Sequence, residues 1–86
     1  MYELSEIEIA VLMNICLKTN ISKSAHIPEQ YFMKKFHGNE RKFAKKALSN
    51  LIRKGYVQKH PTRGEMTYKL TKKGMTTCMK IINREI

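Results

Sequence analysis

Histidine and cysteine are the residue types in this chain that could hold a metal ion, and their spacing argues against such a site. The 86 residues include three histidines and two cysteines. Zinc is commonly bound by histidines four residues apart on a helix or by cysteines in a C-x-x-C pair. His26, His37 and His60 fall in three separate predicted connectors, where we expect exposed or capping roles. The sequence therefore predicts no metal site and no cofactor.

Cys16 and Cys78 are too few for a disulfide scaffold and too far apart for a C-x-x-C metal ligand pair. Each lies on the apolar face of a predicted helix, where free cysteines are commonly buried. We therefore expect two buried thiols. A redox pair between the first and last helices is the alternative.

The patterns of known catalytic sites are missing from the sequence. It has no glycine-rich phosphate loop, no pair of carboxylates in apolar surroundings, and no nucleophile with a base at helical spacing. The four tyrosines and six methionines are typical of a core. We expect that the chain is not an enzyme.

The positive charge is the most informative property of the composition. Seventeen Lys and Arg residues against seven acidic residues give a net charge of +10. Thirteen of the seventeen lie within residues 34–73, where Glu40 and Glu65 are the acidic residues. Solvated faces of a lysine-rich protein are the simpler interpretation. The segregation favours a surface that binds anions.

The length predicts one domain, residues 1–86, of α+β class with helices predominating. No apolar run approaches the roughly 20 residues of a membrane span, and no secretory leader opens the chain. We expect a cytoplasmic protein without membrane contact.

The first predicted helix is apolar on every side. Ser5 and Glu8 have the spacing of a capping box, in which each side chain binds the backbone N–H of the other residue. Nine of the eleven residues in 7–17 are apolar. Such a helix must be covered on every side, and eleven residues are too few to cross a bilayer, so protein must cover it.

The next region has the spacing of a helix-turn-helix. Residues 19–26 are predicted as a connector, and Pro28 suits the first turn of a second helix. Gly38 is expected to end that helix and Asn39 to cap the third, predicted at 40–54. The third helix has an apolar stripe for the core, formed by Phe43, Ala44, Ala47, Leu48, Leu51 and Ile52. The opposite face carries Lys42, Lys46, Ser49 and Arg53.

After Gly55 the apolar period changes from helix to strand. Residues 56–60 and 66–70 alternate around turn residues 61–64, which predicts a hairpin with Arg63 at its tip. Met66, Tyr68 and Leu70 share one face and are expected to point inward. Thr71 is expected to cap a last helix that runs through Ile86. Gly74 inside that helix indicates close approach by another backbone.

A specific set of residues accompanies this order of predicted elements: Leu48, Leu51, Gly55-Tyr56-Val57, Gly64, Tyr68, Leu70-Thr71 and Gly74. Over residues 27–75 this set resembles the signature of winged helix-turn-helix regulators of the MarR-like and PadR-like kind. The resemblance implies three helices, a two-stranded wing hairpin and a C-terminal helix. It also implies a recognition helix, 40–54, in the DNA major groove and a wing, 56–70, on the adjacent backbone or minor groove. No ligand-binding domain accompanies the motif, so no small-molecule effector is implied.

The positions carried over suggest two kinds of DNA contact. Lysine is a flexible point charge suited to phosphates, whereas arginine and asparagine can bind base edges through two hydrogen bonds. We expect phosphate contacts from Lys42, Lys45 and Lys46. The candidates for base edges are Arg41, Ser49, Asn50 and Arg53. On the wing we expect Arg63 to enter a narrow minor groove, with Lys59, His60 and Lys69 beside it.

The first and last helices are predicted to form a homodimer interface. One 86-residue domain can cover only part of an all-apolar helix, and the last helix has its own apolar stripe. The predicted interface residues are Ile9, Met13, Leu17, Met75, Met79, Ile82 and Ile86. The alternative is that the last helix folds back over the first within one chain.

The sequence therefore predicts a nucleoid-associated transcriptional regulator that binds double-stranded DNA. Two alternatives stay open. One is a winged-helix adaptor that binds RNA or protein, and the other is a nucleoid-like packaging protein whose lysine-rich face ignores sequence.

Overall fold

Seven elements follow one another in the computed structural model, which describes residues 4–22 and 25–83. In chain order they are α1 (Glu6–Lys18), β1 (His26–Pro28), α2 (Glu29–Met33), α3 (Asn39–Arg53), β2 (Val57–Thr62), β3 (Glu65–Leu70) and α4 (Lys72–Ile82). The three strands form one antiparallel sheet in the order β1-β3-β2. The expected α+β architecture, in which helices predominate, is confirmed.

The predicted capping box starts α1. The Ser5 hydroxyl accepts a hydrogen bond from the backbone N–H of Glu8 at 3.2 Å, and the Glu8 carboxylate accepts from the N–H of Ser5 at 3.1 Å. These bonds satisfy two donors at the helix start. Beyond the cap, α1 contacts α2, α3, α4 and β3, and Val11, Leu12 and Ile15 are completely buried. Neighbouring elements therefore cover most of this apolar helix.

The connector after α1 contains a strand that the sequence did not predict. β1 pairs with β3, placing Ile27 opposite Tyr68 and Pro28 opposite Thr67. Pro28 ends β1 and is the N-cap of α2, so it precedes the helix rather than lying in its first turn. Three residues are too few to show an alternating pattern, and the strand depends on the edge that β3 offers. The predicted two-stranded hairpin is thus part of a three-stranded sheet.

The start of α3 differs by one residue from the prediction of 40–54. Gly38 is the N-cap, with φ of +58°, and Asn39 is the first helical residue, with no side-chain cap hydrogen bond at this end. The expected capping role of Asn39 is therefore wrong, and so is the expected role of Gly38 as the end of α2, which already ends at Met33. A positive φ at Gly38 lets the chain turn into the helix before Asn39, and glycine adopts that conformation without steric cost.

A glycine ends α3. Gly55 has a φ of +88° and donates its N–H to the Ile52 carbonyl at 3.1 Å. The N–H of Tyr56 donates to the Leu51 carbonyl at 2.9 Å. This pair of bonds is the Schellman motif, which satisfies carbonyls that the helix end leaves unpaired.

The hairpin has a shorter turn than expected. The turn between β2 and β3 consists of two residues, Arg63 and Gly64, whereas the predicted turn was 61–64. Gly64 has a φ of +96°. Tyr68 and Leu70 are buried as expected. Met66 shares their face but is 39% exposed, so its predicted inward position is wrong. Met66 is paired with Pro61 next to the turn, and Pro61 and Glu65 are exposed there as well.

The predicted start of α4 is confirmed. The Thr71 hydroxyl accepts from the N–H of Gly74 at 3.0 Å, and the N–H of Thr71 donates to the Tyr56 carbonyl at 3.2 Å. A Cβ atom added at Gly74 would overlap that same carbonyl oxygen. Close approach of another backbone at this glycine is therefore also confirmed.

Cys16 on α1 and Cys78 on α4 are joined by a disulfide bond, and both are completely buried. The expectation of two free thiols is wrong for this structure, and the alternative of a pair between the first and last helices holds. The two residues are 62 positions apart, with Cα atoms 6.6 Å apart. Only the packing of α4 against α1 brings them together, which no spacing rule could show.

Candidate nucleic-acid interface

The amphipathic division of α3 places its cations on the surface. Ala44, Ala47, Leu48 and Leu51 form the buried stripe. The exposed predicted contacts on the other sides are Arg41, Lys42, Lys45, Lys46, Ser49 and Arg53. At 100° per residue, Lys42, Lys46, Ser49 and Arg53 lie opposite the buried stripe. We call these four residues the outer face of α3.

Two of the predicted contacts also hold α3 against α2. The Arg41 guanidinium donates from Nη2 to the Met33 carbonyl at 3.4 Å. Lys45 Nζ lies 3.7 Å from a carboxylate oxygen of Glu29. A pair this exposed contributes little stability. Its effect is to direct both cations toward α2 and away from the outer face.

Glu29 also contacts the sheet, through Tyr68 on β3. The Tyr68 hydroxyl donates to the other Glu29 carboxylate oxygen at 3.5 Å. Burial raises the pKa of Tyr68, and the negative charge and hydrogen bond of Glu29 raise it further. Glu29 therefore links β3, α2 and α3 at one point.

Asn50, predicted to bind a base edge, is engaged inside the protein. Its amide nitrogen donates to Glu8 Oε2 at 2.9 Å, and its amide oxygen accepts from Arg53 Nη2 at 2.9 Å. Lys54 Nζ lies 3.1 Å from Glu8 Oε1. The carboxylate comes from α1, more than forty residues earlier in the chain, so no local pattern could reveal it. Asn50 and Arg53 are accordingly held to each other at the end of α3.

Glu8 is the buried centre of this cluster, with 6% of its surface exposed. Burial by itself would raise its pKa. The hydrogen bonds from Lys54, the Ser5 backbone and Asn50, together with the charge of Lys54, outweigh burial and lower the pKa of Glu8 below its ordinary value. The carboxylate is therefore ionised at neutral pH and holds one end of the outer face in place.

Lys42, Lys46 and Ser49 make up the rest of the outer face. All three side chains are exposed, and none has a side-chain hydrogen bond or ion pair within residues 4–22 and 25–83. Two ammonium groups one helical turn apart suit the spacing of phosphates better than the edges of bases.

The predicted burial of Phe43 on α3 is wrong. It was expected in the apolar stripe, yet it is 61% exposed. The four buried residues form a narrow stripe, and Phe43 lies about 90° from its centre at 100° per residue. Whether a residue at this edge of the stripe is buried depends on which elements pack beside α3, and the residue types of α3 do not predict those neighbours.

The hairpin places its predicted contacts on different faces. Arg63 is exposed in the turn, as expected. Lys59 pairs with Tyr68, whereas Lys69 pairs with Gln58 and His26. Directly paired residues share a face of a sheet and adjacent residues alternate, so Lys59 and Lys69 point to opposite faces. One flat partner cannot contact both lysines along with Arg63.

Two histidines expected in separate connectors meet on the sheet. His26 is on β1 and His60 on β2, and their ring centroids are 4.3 Å apart across β3. They lie on the face of buried Thr67, whose hydroxyl donates to the His60 carbonyl. Within the described residues, no group of three or more His, Cys, Asp or Glu side chains is arranged to hold a metal ion.

The predicted dimer residues divide by exposure. Leu17 on α1 is 61% exposed, and Met79 and Ile82 on α4 are 49% and 47% exposed. Leu17 and Met79 directly follow the bonded cysteines, so they belong to adjoining parts of the two helices. The residues that pack partly against the core are Ile9, Met13 and Met75. Ile86 lies outside the described residues.

In comparisons with known proteins, neither a protein-family model nor a curated protein nor a solved structure matches this chain. Within residues 4–22 and 25–83, no helix has the length and apolar content needed to cross a membrane.

Proposed function

We propose that this chain is a DNA-binding transcriptional regulator of winged-helix type. In this proposal α3 lies in the major groove, and the β2–β3 hairpin contacts the adjacent backbone or minor groove through Arg63. The observation that carries the proposal is the outer face of α3, where Lys42, Lys46 and Arg53 stand exposed on the side opposite the core.

The dimensions of the elements support this mode of binding. An α-helix fits the major groove of B-form DNA, and helix-turn-helix proteins present the early residues of the second helix to the bases. In this chain α2 precedes α3 through a short turn, and Arg41 and Lys45 brace the pair. The buried stripe of α3 packs in the core, so the outer face is formed before binding, which limits the entropy that binding must remove.

The engagement of Asn50 favours a second candidate, a packaging protein with weak sequence preference. With that amide bound to Glu8 and Arg53, the cations of the outer face that have no partner within the described residues are two lysines, Lys42 and Lys46. Lysines hold the phosphate backbone without reading sequence. The adaptor alternative, which binds RNA or protein, needs a partner for a cationic α3, and no feature of the described residues singles one out.

The salt dependence of binding tests the proposal. We expect about five phosphate contacts per subunit, so log K against log[salt] has a slope of about −4 to −5 on duplex DNA, at about 0.9 per contact. Lys46→Ala should make the slope shallower by about one. Lys80→Ala, which removes an exposed charge from α4, should leave it unchanged. A parent slope shallower than about −2 contradicts the α3 model.

Selection from random duplexes distinguishes the two DNA-binding candidates. An enriched sequence motif supports the regulator. Enrichment by overall shape or base composition alone supports the packaging protein. A preference for single-stranded RNA over any duplex supports the adaptor and contradicts both.

The proposal includes a homodimer that pairs two chains through α1 and α4. The support is the exposed apolar group of Leu17, Met79 and Ile82 on these helices. Two-fold pairing presents two copies of α3 to half-sites one DNA turn apart, roughly 34–36 Å.

Sedimentation at micromolar concentration tests the dimer. The parent should sediment as a dimer and Ile82→Glu as a folded monomer. Met66→Glu is the matched control, because Met66 is an exposed apolar residue on the hairpin. A monomeric parent contradicts the dimer.

A further inference from the structure

Phe43 is 61% exposed, more than any other phenylalanine or tyrosine in residues 4–22 and 25–83. A large aromatic side chain in water forgoes the free energy of burial, so a partner that covered Phe43 would gain that free energy on binding.

The neighbours of Phe43 restrict what that partner is. At helical spacing, Asn39 and the exposed Glu40 lie one turn before Phe43, and Lys46 lies one turn after it. Lys42 is adjacent in sequence, and both lysines are exposed. An apolar protein surface laid on Phe43 would have to remove water from these ammonium groups, which is costly without paired acids. An anionic partner with an apolar group avoids that cost.

The position of Phe43 along α3 points to the same partner. It is the fifth residue of the fifteen-residue helix, within the first half that helix-turn-helix proteins place against base edges. The major groove offers an apolar group at thymine, whose 5-methyl projects from the base edge. Phosphates on both sides of the groove would neutralise Lys42 and Lys46.

We propose that Phe43 packs against a thymine 5-methyl group in the major groove and so makes thymine a preferred base. This rests on the proposed function, since it requires α3 in the groove. It also supplies sequence preference on a helix whose Asn50 amide is bound within the protein.

Replacing thymine by uracil in the DNA tests the contact, because this removes the methyl group and keeps base pairing. Duplexes are first selected from a random pool with the parent protein. The enriched duplex is then made with thymine or deoxyuridine at each position in turn. We expect one position per subunit where loss of the methyl weakens binding about fourfold, from about 0.8 kcal/mol for one methyl-sized group.

Variants connect that effect to the side chain. Phe43→Ala should bind thymine and uracil duplexes within roughly 1.5-fold of each other, and Phe43→Leu should keep part of the preference. Tyr31→Ala removes another exposed aromatic residue, 49% exposed on α2, and should keep all of it. Circular dichroism checks folding, and Phe43→Leu keeps the test decisive if the alanine variant does not fold.

The outcomes separate this inference from the proposed function. A parent that binds no duplex overturns both. If the parent binds duplexes with the expected salt slope, three results overturn the role of Phe43 without overturning the proposed function. These are a parent that enriches no motif, a motif indifferent to uracil, and a preference that Phe43→Ala retains. A Phe43→Ala variant that changes oligomeric state also overturns it, because Phe43 then contacts protein.

Discussion

Replacing Glu8 by alanine should destabilise the fold more than any exposed charge substitution. The carboxylate accepts hydrogen bonds from the Ser5 backbone at 3.1 Å, Asn50 at 2.9 Å and Lys54 at 3.1 Å. It therefore ties the first turn of α1 to the end of α3. The substitution leaves all three donors without this acceptor.

The size of the loss follows from the environment of each donor. The backbone bond at Ser5 contributes about 0.5–1 kcal/mol, and a hydrogen bond from Asn50 to a charged group about 1.5–3 kcal/mol. The Lys54 side chain is 28% exposed, so water can partly rehydrate its ammonium group. The expected loss is about 3 kcal/mol. An 86-residue domain has roughly 4–13 kcal/mol of stability, so the variant should fold but unfold at a lower temperature.

Urea denaturation at pH 7 measures this loss. Glu6→Ala is the matched control, because Glu6 is an exposed acid in the same first turn. Its removal should cost only the interaction with the helix dipole, about 0.3–1 kcal/mol. If the two variants lose the same stability, the reasoning from the Glu8 contacts is wrong.

The pH dependence of stability gives a second measurement on the same residue. The pKa of Glu8 is lower in the folded chain than its ordinary value of 4.5. Its ionised form therefore stabilises the fold above that pH, and this contribution is lost as the pH falls through the folded pKa. Glu8→Gln should show a smaller loss of stability on acidification than the parent. An unchanged acid profile contradicts the role of the charge.

Three further outcomes are expected. Gly74→Ala should cost about 1–3 kcal/mol in urea denaturation despite the better helix propensity of alanine, because the new Cβ overlaps the Tyr56 carbonyl; unchanged stability contradicts this. In an absorbance titration, the phenolate of Tyr68 should form above pH 10, and Tyr68→Phe identifies this signal because the variant lacks it. In Glu29→Gln the pKa of Tyr68 should be lower than in the parent. Since that pKa is raised, the contribution of Tyr68 to stability should be lost above about pH 10. Arg63→Ala should reduce any preference for A-tract duplexes with narrow minor grooves, and an equal loss on all duplexes indicates a phosphate contact instead.

The helices and the hairpin could be predicted from sequence because their signals are local. The Ser5–Glu8 capping box and the Gly55 terminator each act within a few residues. The amphipathic division of α3 likewise needs only the helical period to place its lysines outside. These interactions form in any context that allows the helix, so residue types and spacing are sufficient to predict them.

The details of the candidate site were decided by packing between distant segments. The approach of α1 places Glu8 against Asn50, which turns a predicted base reader into a structural residue. The edge of β3 makes a strand of residues 26–28 and brings His26 to His60. Phe43 is exposed because no described element covers that margin of α3. Each of these features depends on how the elements pack against one another. That packing is determined by burial over the whole domain, so the residue spacing within one segment does not predict it.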